Sequence, residues 1–85
     1  MPVISRFLGI VIVMYWDDHF PPHFHAKYGN YEIIVHILTG MVEGRFPKRA
    51  LQHVLEWYEL HKEELLSDWD LCRANRTPEP IAPLE

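Results

Sequence analysis

The dipeptide Gly29-Asn30 separates two runs that both read as strands, His23 to Tyr28 and Tyr31 to Ile37. A two-residue Gly-X connection suits a type II′ hairpin, because Gly accepts the positive φ at the first turn position. That corner sets the register. Tyr28 pairs with Tyr31, Lys27 with Glu32, Ala26 with Ile33, His25 with Ile34, Phe24 with Val35 and His23 with His36. Side chains alternate across the pleat. One face therefore carries Phe24, Ala26, Tyr28, Tyr31, Ile33, Val35 and Ile37 and is expected to be core. The other carries His23, His25, Lys27, Glu32, Ile34 and His36, and is polar apart from Ile34.

The flanking segments extend the sheet. Val3 to Leu8 reads as a strand ended by Gly9 in a bulge or tight turn. Ile10 to Trp16 is apolar on both faces, which predicts a central strand covered twice. One helical segment covers one face, so the second cover is expected from the tail, a second copy or another protein. Asp17 to Pro22 is a loop, Leu38-Thr39-Gly40 a turn, and Met41 to Phe46 a short edge strand. From Pro47 the period becomes helical. Leu51, Val54, Leu55, Tyr58, Leu65 and Trp69 form the expected stripe, with Ala50, Trp57 and His61 on its margin. Ser67-Asp68-Trp69-Asp70 can cap a second helix, so a kink is expected there. Asn75 is the expected terminator, with Arg73 and Arg76 against the negative end of the dipole. The fold class is thus α+β: an antiparallel sheet of four to five strands on a long, kinked C-terminal helix. Residues 1–76 form one domain and 77–85 an extended Pro-rich tail, anchored by Ile81 and Leu84.

Three imidazoles on one sheet face fit two chemistries. His23, His25 and His36, with His19 from the adjoining loop, are candidate ligands for zinc or a similar divalent transition metal. Asp17 and Asp18 lie close in sequence. The same His23, His25 and His36 are candidate general acids and bases, since imidazole titrates near neutrality, and Lys27 beside them suits a phosphodiester. The plain alternative is a solvated strand face, with Lys27 opposite Glu32 as an ordinary cross-strand pair. No paired C-x-x-C or H-E-x-x-H motif is present.

Lys27, Arg45, Lys48 and Arg49 are the candidate anion contacts. The last three flank the helix start, where cations oppose the helix dipole, so a bound anion would explain them; exposed cations are also common without one. His53 and His61 fall on the helix and are expected to be packed or surface residues. Composition narrows the classes. The net charge of −4 over 85 residues argues against a large non-specific DNA surface. The single cysteine, Cys72, allows no internal disulfide and is expected to be buried. The longest apolar run, Leu8 to Trp16, is about half a membrane span. The start lacks the pattern of a signal peptide. A cytoplasmic location is expected.

Three segments together resemble one family. They are Ile4-Ser5-Arg6-Phe7-Leu8-Gly9-Ile10-Val11-Ile12; Asp18-His19-Phe20-Pro21-Pro22-His23-Phe24-His25-Ala26; and the helical Pro47-Lys48-Arg49-Ala50-Leu51, Leu55-Glu56-Trp57, Leu60-His61 and Glu64-Leu65-Leu66. The chain resembles a family of small bacterial proteins known as domain of unknown function 4160. The resemblance brings no established activity. It implies a component of a two-protein, toxin–antitoxin-like module, with a small protein or a second copy as partner and RNA as a candidate ligand. Val13 stands where relatives commonly have a basic residue. Whether such a component is an enzyme stays open, a metal-binding module and a plain interaction domain being the alternatives.

Overall fold

The computed structural model describes residues 2–16 and 18–85. The chain opens on β1 (Val3–Phe7) and β2 (Ile10–Val13), joined by Leu8-Gly9. Both turn residues have positive φ, 50° and 80°, the requirement of a tight I′-type connection that follows the strand twist. Gly9 therefore makes a turn. β3 (His23–Tyr28) and β4 (Tyr31–His36) follow, then β5 (Val42–Arg45), α1 (Lys48–Leu60) and α2 (Lys62–Arg73). The five strands of the described residues form one antiparallel sheet in the order β1-β2-β3-β4-β5.

The β3–β4 register is the one expected from the Gly29-Asn30 corner, from Tyr28↔Tyr31 to His23↔His36. Phe24, Ala26, Ile33 and Val35 are almost fully buried. They pack with Ile10, Ile12, Val54, Trp57 and Leu65 into a single core between the sheet and the helices. β2 is interior, paired with β1 and β3. Its second face is covered at Val13, which has no exposed surface although it lies in register with Val3 and His25, while Val11 is half-buried. That cover comes from within the chain.

The helical segment departs from expectation in two ways. The buried face of α1 is Ala50, Val54, Trp57 and Tyr58, with Leu51 and Leu55 only half-buried. Trp57, expected on the margin, is fully enclosed. Its ring lies tilted against Phe7 and edge-on to Phe24, at centroid distances of 5.4 and 5.7 Å, and the largest apolar surface takes the centre of the face. The helix also breaks at His61 (φ −127°, ψ 25°) rather than at Ser67. Glu63 and Glu64 follow the break in the first turn of α2, where the dipole favours acidic groups, and Glu64 accepts a 2.6 Å hydrogen bond from His61 Nδ1. Asp68, expected as a cap, is a buried residue in mid-helix.

Asn75 (φ 61°) ends α2 in a Schellman motif. The Arg76 N–H bonds the Leu71 carbonyl at 2.8 Å, and the Asn75 N–H bonds Cys72 at 3.1 Å. Cys72 is buried, and burial pushes its thiol up to about 11. The Pro-rich segment 77–85 folds back over the domain. Ile81 is buried and its N–H donates to the Ile4 carbonyl at 2.8 Å, while Leu84 is half-buried.

Candidate metal centre

His23 and His25 are two residues apart on β3, so their rings leave the sheet on the same side. The loop before β3 brings Asp18 to them. Asp18 Oδ2 lies 2.9 Å from His23 Nε2 and 3.4 Å from His25 Nε2. One ligand atom from each of the three lies within 4.8 Å of the others. His23 is 5 % exposed, enclosed by His25 and by Trp69 of α2 at ring distances of 5.4 and 5.2 Å.

The outer nitrogens decide what the inner ones can do. His23 Nδ1 lies 2.8 Å from the Pro21 carbonyl oxygen. A carbonyl only accepts, so Nδ1 carries the proton. His25 Nδ1 lies 3.0 Å from a carboxylate oxygen of Glu32 and likewise donates. A neutral imidazole has one N–H. Both Nε2 atoms therefore present lone pairs toward an oxygen that also only accepts. Such a cluster needs positive charge at its centre, either second protons on the rings or a cation. The outer hydrogen bonds are those that orient metal-bound histidines.

The spacing suits a cation. Metal–ligand bonds of about 2.0–2.1 Å give ligand–ligand edges of about 3.0 Å at octahedral and about 3.4 Å at tetrahedral angles. The observed Asp18 contacts fall in that range. Burial opposes the Asp18 charge, but the His19 backbone N–H and, when the rings carry their second protons, the charge of His23 and hydrogen bonds from His25 and His23 outweigh it and hold its pKa below the ordinary value. Beside the centre is a shallow concavity of about 340 Å³ lined by His25, Glu32, Ile33, Ile34, Glu43 and Gly44.

The remaining candidates are placed differently. His19 is exposed; its Nδ1 lies 3.3 Å from the other Asp18 oxygen and its ring 5.8 Å from that of His23. The His36 ring is 6.0 Å from His23, but its Nε2 contacts Glu43 on β5. Asp17 lies outside the described residues. Lys27 sits 5.8 Å over the Tyr15 ring, and a hydrogen bond with Tyr15 raises its pKa. Tyr15 in turn stands edge-on to His25 at 4.6 Å. Arg45 lies opposite Glu32 on the polar sheet face, whereas Lys48 and Arg49 belong to α1, which packs on the other face. Asp18 itself was indicated in the sequence only by its nearness to His23.

The model of the family described as domain of unknown function (DUF4160) matches residues 9–70. The chain belongs to that family. The comparisons with curated proteins and with solved structures gave no match. The DUF4160 span contains Asp18, His23, His25, Glu32, His36 and Glu43, so the whole centre and its outer partners fall within it. Segment 77–85 and Arg73 lie beyond it.

Proposed function

We propose that this protein binds a divalent transition metal, such as zinc, through Asp18, His23 and His25. The supporting observation is the convergence of two Nε2 atoms on one carboxylate oxygen while both Nδ1 atoms are engaged elsewhere. Two imidazoles and one carboxylate suit zinc, iron, nickel or copper and leave coordination positions open. The test is elemental analysis of purified protein and calorimetric titration of the metal-free form with zinc. Near one equivalent of bound metal, lost in His25→Ala, is the expected result. No binding, with an unchanged melting temperature on zinc addition, refutes the proposal.

A second reading has a component of a bacterial, toxin–antitoxin-like module contacting or cleaving RNA with the same face. It is favoured by a row across the sheet: Arg6, Val11, Lys27, Glu32 and Arg45 occupy consecutive register positions beside the histidines. Three cations in line suit a phosphate backbone. Growth arrest on expression, relieved by Lys27→Ala with Arg45→Ala, supports this reading; toxicity unchanged by that pair counts against it.

A further inference from the structure

α2 reaches the metal centre from the far side of the sequence. Arg73 Nη1 donates to the Asp18 carbonyl at 2.8 Å, across 55 residues. The same guanidinium lies 4.5 Å over the Phe20 ring. Phe20 meets Trp69 edge-on at 5.8 Å, and Trp69 lies 5.2 Å from His23. Trp69 and Arg73 are four residues apart, hence on one helix face. One turn of α2 thus touches the backbone of one ligand and the ring of another.

This contact bears on the centre because Asp18 sits on a loop outside any strand. Its carboxylate must meet two imidazoles whose positions β3 already sets. A loop residue left to itself samples many orientations, and each ligand site loses affinity when its ligands must be ordered on binding. The planar guanidinium serves both needs, donating in its plane and stacking through its face. Lysine has the charge and a donor but no face.

We infer that Arg73 is a positioning residue for the metal centre, holding the Asp18 loop so that the carboxylate meets His23 and His25. The inference rests on the metal reading above.

The experiment compares wild type, Arg73→Met and Arg73→Lys, with His25→Ala as the ligand-loss control. Zinc affinity is read by chelator competition, and the coordination geometry by the visible spectrum of the cobalt(II)-loaded protein. The melting temperature of the metal-free forms is measured alongside. Arg73 is exposed, and methionine is a good helix former of similar length, so the fold is expected to persist. Arg73→Met should weaken zinc by about 10–100-fold, the usual effect of removing an outer support. Its cobalt spectrum should change while the metal-free melting temperature stays near wild type. Arg73→Lys should recover part of the affinity. Equal zinc affinity in wild type and Arg73→Met overturns the inference and leaves the metal reading standing. A wild type that binds no zinc overturns the metal reading, and this inference with it. Should Arg73→Met fold poorly, Phe20→Leu removes the stacking surface instead, and unchanged affinity there has the same overturning force.

Discussion

Trp57 and Ala82 are joined by one hydrogen bond, the enclosed indole N–H donating to the Ala82 carbonyl at 2.8 Å. The centre of α1 is thereby tied to the Pro-rich segment. Ile81 beside it is 5 % exposed, and Glu79 donates its N–H to Asp68 at 2.9 Å. Removing residues 77–85 would orphan the indole and uncover apolar surface. We expect a loss of about 3–5 kcal/mol, from one unsatisfied buried donor and one large aliphatic side chain. Urea unfolding of the truncated chain measures it; a loss under about 1 kcal/mol would show that the segment merely lies on the surface.

The histidines should separate by substitution. Asp18→Asn, His23→Ala and His25→Ala each remove a converging ligand atom, and each should weaken zinc more than the roughly 10–100-fold of an outer-support loss. His36→Ala and His19→Ala should change it less than about threefold, since neither ring enters the group. Glu32→Gln should fall between, because it frees His25 Nδ1 from its carboxylate. Calorimetry on the metal-free proteins gives the order directly. A large effect of His36→Ala would place the centre further along β4.

Asp68 supplies a pH dependence. Burial first, and then the charges of Glu79 and Glu64, push its carboxyl up to about 6, against the opposing Glu79 hydrogen bond. The Asp68 charge in turn helps to raise the Cys72 thiol. The folded state therefore holds a proton that the unfolded chain releases near pH 4. Between about pH 4 and 6 the folded form binds more protons, so this group's contribution makes stability fall as pH rises through that window. That difference corresponds to roughly 2–3 kcal/mol. Asp68→Asn keeps the acceptor for Glu79 without the charge. It should be more stable than wild type by about 2 kcal/mol at pH 7.5, with the gap closing near pH 4.5. A pH-independent gap in parallel denaturation curves contradicts this assignment.

Gly44 is bound to its place by space as well as by conformation. Its φ is +107°, and a Cβ there would lie 2.7 Å from the Glu32 carbonyl oxygen. Gly44→Ala should cost about 1–3 kcal/mol. Because Glu32 also orients His25, the variant should weaken zinc as well. Melting temperature and zinc affinity are the two readouts, and normal values for both would argue that β5 shifts freely on β4.

The hairpin was legible because its determinants are local. Gly29 can take the turn, and a period of two then assigns every residue of β3 and β4 to a face. The change to helical spacing after Pro47 was equally local. The acidic pair Glu63-Glu64 was a usable sign of the second helix start, but the Ser67-Asp68 pattern competed with it. Asp68 could not be recognised as buried, because its cover comes from residues 79–81. Helical spacing puts Trp57 on the margin, because spacing gives the width of an apolar face and not which residue finds the deepest partner surface.

What the residues determined alone is therefore the β3–β4 register, the division of the sheet into an apolar and a histidine-bearing face, and the α+β order of elements. Only the tertiary structure selected Asp18 over His19 and His36 as the companion of His23 and His25, and only it set Arg73 against the Asp18 backbone. A strand's alternation is a property of neighbouring peptides. The direction of a loop carboxylate depends on what lies across from it, here a helix 55 residues further along the chain.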